Sequence, residues 1–199
     1  PRPETETLIE AALKKPHPTR YPLHPIIIDV GTGSGAIAIT LAKLLPHAIM
    51  YATDTSARAL HVARTNATRH GVRVHFKKGD LLTPLKSLIL NLKSPIIIVA
   101  NLPYLPTATW RATQPEVKKY EPRGALDGGQ GGLKYYRQLL KQIKKLLITN
   151  YSLLITLFFE IDPGQAKPLS NLIRKTFLNA RVTKKHDLAD RARVLTVQL

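Results

Sequence analysis

Ile26-Ile27-Ile28-Asp29-Val30-Gly31-Thr32-Gly33-Ser34-Gly35 is followed by the helix-forming run Ala36 to Leu45. A β-branched apolar run, a glycine loop and a helix, in that order, form the first unit of a nucleotide-binding α/β fold. Glycines let a ligand approach the backbone, and the helix N-terminus offers free N–H groups. The loop alone is weak evidence: Gly31, Gly33 and Ala36 also satisfy the dinucleotide pattern with Ala in third place.

The next stretches supply the missing specificity. Ala48 to Thr53 reads as a second strand ending at Asp54, roughly 20 residues past Gly31, where a ribose-binding acid is expected. Thr55 or Ser56 caps a helix running to about His70, and Gly71 stops it. Val72 to Phe76 alternates as a third strand closed by Gly79-Asp80, which sets Asp80 in place for an adenine amino group. Taken singly, Asp54 and Asp80 are more often caps or turn residues. Together with the glycine loop they favour a bound nucleoside.

Ser94-Pro95-Ile96-Ile97-Ile98-Val99-Ala100 reads as a buried strand delivering Asn101-Leu102-Pro103-Tyr104 into the crevice where open α/β sheets bind ligands. Asn101 offers an acceptor and two donors. Pro103 pushes Leu102 towards an extended backbone, which can turn its carbonyl inward. Two adjacent acceptors suit a planar amino or amide NH2 group, and Tyr104 adds a ring face. Leu105 to Gly132 is too irregular for one element and too long for a simple connection, the mark of a functional loop. Leu133, Tyr136, Leu139, Leu140, Ile143, Leu146 and Leu147 form one helical face, with Lys134, Arg137, Lys141, Lys144 and Lys145 mainly on the other. Ser152 to Ile161 is a fifth strand, and a helix starts at Pro163-Gly164. Arg181 to His186 and Arg193 to Leu199 make a final antiparallel pair. At the other end, Glu4 to Leu13 reads as a helix, and prolines 16, 18, 22 and 25 break regular structure beyond it. The organisation expected is a helix and proline-rich linker over 1–25 and a catalytic domain over 26–199.

Composition narrows the classes. The 199 residues suit one globular unit, 44% hydrophobic, with no apolar run long enough to span a membrane. No signal-peptide pattern opens the chain, and cysteine is absent, which excludes disulfides and thiolate catalysis and makes a reducing cytoplasm the default. The scattered histidines give no metal spacing. A net charge of +17, from 30 Lys and Arg against 13 Asp and Glu, implies attraction to an acidic or polyanionic partner. A lysine-rich surface kept for solubility explains it equally well.

The succession Arg2-Pro3-Glu4-Thr5-Glu6, Asp29 to Gly35, Asp54, Asp80, Asn101-Leu102-Pro103-Tyr104, Glu121-Pro122, Asp127-Gly128-Gly129, Gly132-Leu133, Tyr136-Arg137 and Asp187 to Val194 resembles the release factor glutamine N5-methyltransferases, the HemK/PrmC family, over the whole chain. The resemblance implies a Rossmann-like class I S-adenosylmethionine-dependent methyltransferase: a mostly parallel seven-stranded sheet with an antiparallel C-terminal pair. It implies that Gly31, Thr32, Gly33, Ser34 and Gly35 line the methionine part, Asp54 holds the ribose hydroxyls, and Asp80 with Leu81 flanks the adenine. Asn101, Leu102, Pro103 and Tyr104 would hold the glutamine of a release factor's Gly-Gly-Gln loop, with Asn101 and Tyr104 at the reaction and Asn101 also near the donor. No metal is required. The expected state is a cytoplasmic monomer whose basic surface would accept nucleic acid without needing it. Leu102 stands where the family usually has Pro, and family members carry a small helical domain ahead of the Arg-Pro motif. Gly128-Gly129-Gln130 spells the substrate tripeptide, but its neighbours match the methyltransferase loop. An adenine N6 methyltransferase acting on DNA or RNA would share every motif. A nicotinamide dehydrogenase would share the glycine loop and Asp54 only, and a non-catalytic RNA-binding module would explain only the charge.

Overall fold

The chain folds around its central strands because of where their side chains go. Ile26–Val30 (β1), Ile96–Ala100 (β4) and Ile155–Glu160 (β5) are buried at every position, as parallel strands covered on both faces must be. Alternate residues feed two apolar layers. Ile26, Ile28 and Val30 join one core with Ile98 and Leu157, while Ile27, Ile97 and Phe158 join the other. The computed structural model describes residues 3–14, 25–114, 116, 122–187 and 189–199. Arg2, the stretch 15–24, Glu121 and Leu188, on which part of the sequence reading rests, lie outside the described residues, as does the side chain of Glu4.

Among the described residues there is one seven-stranded sheet, ordered β3-β2-β1-β4-β5-β7-β6, with β2 at Ile49–Asp54, β3 at His75–Lys78, β6 at Arg181–His186 and β7 at Ala192–Gln198. The first five strands run parallel, and β7 is antiparallel to both β5 and β6. One face carries Pro3–Lys14 (α1) and Ala36–Leu44 (α2), through Leu8, Ile9, Ile37 and Leu41. Ala57–Arg69 (α3) packs beside them on β2 and β3. The other face carries Lys86–Leu90 (α4), Lys134–Thr149 (α7) and Ala166–Thr176 (α8). The chain turns both ways from β1, since β2 pairs on one side and β4 on the other. That switch point opens a crevice at the strands' carboxyl ends. Because Val30 pairs with Ala100, Gly31 and Asn101 leave the sheet side by side.

Several boundaries differ from expectation. The third strand begins at His75 rather than Val72, because the Val72 N–H closes the preceding helix on the Ala67 carbonyl. Among the described residues, the 105–132 loop carries the short helices Thr107–Ala112 (α5) and Arg123–Leu126 (α6) and a 3-10 turn at Gln130–Gly132. Ser56, rather than Thr55, caps α3 by accepting from the Ala59 N–H at 3.1 Å. Pro163–Gln165 is a 3-10 turn, and α8 begins at Ala166.

Candidate active site

At the switch point lies a cavity of about 440 Å3, a size typical of small-ligand sites. Gly31, Thr32, Gly33 and Ser34 form one wall, and Asn101, Leu102 and Tyr104 another. The glycine loop holds positive φ at Gly31, Gly33 and Gly35, and a side chain at Gly33 would meet nothing within 4 Å, so its backbone is open to a ligand. The Gly31 and Thr32 N–H groups donate to the Thr53 carbonyl at 2.9 and 3.0 Å. Asp54 completes the support: one oxygen accepts from the Gly33 N–H at 2.9 Å, the other from Ser56 at 2.8 Å. Each oxygen keeps further lone-pair capacity for a ligand hydroxyl.

Beneath the loop Asp29 is fully buried. Its Oδ2 accepts from the Thr32 hydroxyl at 2.6 Å and the Ala38 N–H at 3.1 Å, while Oδ1 has no partner among the described residues. Burial pushes its carboxyl up to about 6, and the Asp54 carboxylate adds to the rise.

On the opposite wall, Asn101 donates through Nδ2 to the Thr5 hydroxyl of α1 at 3.4 Å, and Thr5 itself lines the cavity. Asn101 lines the cavity beside it. Leu102 is buried against Gly31, where a Cβ would come within 2.9 Å of its Cδ2. The Leu102 N–H donates to the buried Tyr136 hydroxyl, which in turn donates to the Glu160 carbonyl. Burial raises the Tyr136 pKa, so it stays a neutral phenol. A Pro at 102 could not make the first of these bonds.

Tyr104 is held through its backbone. Gln165 Nε2 donates to the Tyr104 carbonyl at 2.8 Å and to the Gly132 carbonyl at 3.1 Å. Gly132, at φ +69°, lies so close that a Cβ would sit 2.0 Å from the Tyr104 oxygen. Gly128 likewise presses on Pro103 and Tyr104. Gly128 and Gly132 therefore serve packing, and Gln130 is exposed at the surface. Asp127 organises the segment: it accepts from Thr107 Oγ1 at 2.7 Å and the Gly129 N–H at 3.0 Å, and pairs with Arg123 at 2.9 Å. These contacts hold its carboxyl down to about 2. Leu105, Ala125 and Leu126 from the same segment close the cavity's outer rim.

Gly35, Asp54, Asp80, Leu81 and Pro103 are absent from the cavity wall itself. Asp54 reaches it through the Gly33 bond. Asp80 sits exposed beyond β3, on a loop tied to Asp54 by the Gly79 N–H to Asp54 carbonyl bond of 3.0 Å. Leu81 is buried in the core beneath. Sequence reasoning assigns no role to Thr5 or Gln165. The Arg-Pro-Glu-Thr-Glu motif is the only signal for the first, and none exists for the second. No cluster of metal-ligating side chains occurs among the described residues.

The fold and this cavity define a class I S-adenosylmethionine-dependent methyltransferase. Residues 24–176 match the methyltransferase domain family. Solved structures with the same fold include a ribosomal protein L11 methylase from Lactobacillus delbrueckii subsp. bulgaricus (TM-score 0.57, 21% identity, 98% of this chain and 76% of that one). The METTL16 methyltransferase domain is another (TM-score 0.61, 16% identity, 98% and 81%). Among sequences, a release factor glutamine methyltransferase of Geobacter sulfurreducens is 40% identical over 88% of this chain and 57% of its own length. One of Bacillus cereus is 35% identical over 100% and 68%. The chain belongs to the release factor glutamine methyltransferase family. It spans between about half and two thirds of the length of these relatives.

Proposed function

We propose that this protein transfers a methyl group from S-adenosylmethionine to the side-chain amide nitrogen (N5) of the glutamine in a release factor's Gly-Gly-Gln loop. The observation that supports the reading is that Asn101, Leu102 and Tyr104 line one cavity together with the open Gly31–Ser34 loop. Positive φ at the glycines, open space at Gly33 and a carboxylate at Asp54 fit a nucleoside-bearing donor. Its sulfonium supplies a methyl group that is already activated.

An amide nitrogen is a poor nucleophile because its lone pair is delocalised. Asn101 Oδ1 and the Leu102 carbonyl accept its two N–H hydrogens and aim the nitrogen across the cavity. Thr5 holds the other end of the Asn101 amide. Tyr104, locked by Gln165 and Gly132, forms the side of the pocket, and the apolar Leu105, Ala125 and Leu126 limit water there. Alignment of this kind supplies most of the acceleration. No strong base is needed, since proton loss can follow transfer.

The acting unit in this reading is 26–199, completed by Thr5 from the 1–25 segment, working as a cytoplasmic monomer on a folded release factor. No helix among the described residues is long and apolar enough to cross a membrane. The basic surface steers an acidic protein partner, and nucleic acid is not required. The test is direct: incubate the enzyme with labelled donor, release factor and an oligonucleotide, then map the label by mass spectrometry. Methyl on the Gly-Gly-Gln glutamine is expected, and replacing that Gln by Asn abolishes it. Methyl on adenine with none on the release factor would overturn the assignment in favour of a nucleic-acid amino-methyltransferase.

A further inference from the structure

We propose that Gln142, in the middle of α7, is a positioning residue that fixes the Asp80 carboxylate so that the enzyme selects a purine bearing a 6-amino group; this rests on the reading of Asp80 as the adenine acid. Gln142 lies 62 positions from Asp80, and no motif points to it.

The geometry sets the orientation of the amide without ambiguity. The Leu82 N–H donates to Gln142 Oε1 at 2.8 Å. A backbone N–H can only donate, so the other end of the amide must be Nε2. Nε2 lies 3.3 Å from Asp80 Oδ2 and 3.3 Å from Thr83 Oγ1. Among the described residues, this amide is the one partner of the exposed Asp80 side chain. With Oδ2 engaged, Oδ1 is the oxygen left to accept from an exocyclic amino group.

The loop needs such a clamp. Leu81 adopts φ +48°, a left-handed conformation that a Leu rarely takes. Leu81 and Leu82 bury their side chains below, so the loop bends sharply to keep Asp80 above. One end is tied to β2 by the Gly79 N–H to Asp54 carbonyl bond. The other is tied to α7 by Gln142. The two acids that address the nucleoside therefore share one braced support.

Calorimetry on the purified enzyme tests this. The probes are S-adenosylhomocysteine and its analogue with unsubstituted purine in place of adenine. The proteins are wild type, Gln142→Glu, Gln142→Met and Asp80→Ala. Gln142→Glu keeps an acceptor for the Leu82 N–H but turns a like charge towards Asp80. Losing one hydrogen bond's discrimination, the preference for adenine over purine should fall by about fivefold in Gln142→Glu and Gln142→Met, with affinity for the purine analogue nearly unchanged. Equal weakening of both ligands, or an unchanged preference, overturns the role of Gln142. If Asp80→Ala loses the preference while the Gln142 variants keep it, only the Gln142 assignment falls. If Asp80→Ala keeps it, the reading of Asp80 falls and Gln142 with it.

Discussion

Asn101 depends on two contacts made far apart in sequence: the strand that delivers it and the Thr5 hydroxyl that receives its Nδ2. Asn101→Ala should cut single-turnover methyl transfer by about a hundredfold or more while leaving donor affinity within a few fold, since the lost contacts align the acceptor. A rate that barely changes would leave Asn101 with a structural role only. Asp29 makes a different prediction, about pH. Its carboxyl keeps its proton up to about 6 in the folded state, against 3.8 ordinarily. The folded state therefore binds more protons across that window, so the group's contribution to stability falls as pH rises through it and levels off above. The size is on the order of 3 kcal/mol. Urea unfolding of Asp29→Asn at pH 4.5 and 7.5 should show most of this decline removed; a pH slope equal to the wild type's would refute it. Asp127 and Asp187, both held down to about 2 by their hydrogen bonds, act in the opposite sense: their support is present above the ordinary carboxylate range and lost as pH falls towards 2.

At the scale of elements, the 128–132 segment is a brace for the acceptor loop. Gly132→Ala would place a Cβ 2.0 Å from the Tyr104 oxygen and 2.3 Å from Gln165 Nε2, at positive φ. A loss of about 2–4 kcal/mol in urea unfolding is expected, with slower methyl transfer even in the folded fraction. Leu102→Pro tests the departure from the usual family motif. It removes the N–H bonded to Tyr136 and a buried side chain, costing about 2–4 kcal/mol. The residue-102 carbonyl survives, so methyl transfer per folded molecule should stay within several fold. These elements also show how much of the molecule is legible in its sequence. Ile26–Val30 and Ile96–Ala100 announce themselves through local apolar runs ended by turn residues, and the glycine loop through local spacing. The short helices at 83–90 escape such a reading, because a single turn has little periodicity; they are held by distant partners, Gln142 on Leu82 and Asn150 Nδ2 on the Leu90 carbonyl at 3.1 Å. The alternation of Val72–Phe76 misplaces the start of the third strand because helix closure competes for the Val72 N–H. Thr5 and Gln165 reach the site only through tertiary packing, which no local pattern encodes.

For the whole molecule, charge is unevenly distributed: no acidic side chain occurs from residue 55 to 79 or from 128 to 159. Such a charge would steer an acidic protein, as proposed above, by long-range attraction that salt screens. Raising ionic strength from about 0.05 to 0.5 M should raise KM for the release factor several fold and leave kcat unchanged, whereas a short uncharged Gly-Gly-Gln peptide should show no such rise. A KM for the intact release factor that ignored salt would remove steering as the role of the charge. The order of strands carries one more consequence, for synthesis. β7 lies between β5 and β6, although it is made after both. As the chain leaves the ribosome, the edge of Ile155–Glu160 stays unpaired until Ala192–Gln198 emerges, and Leu157 must wait for Val197. During that interval the nascent chain presents a mostly apolar strand with an unpaired edge to its surroundings. Chaperone capture should peak on translation intermediates stalled between these two strands and fall once β7 is out.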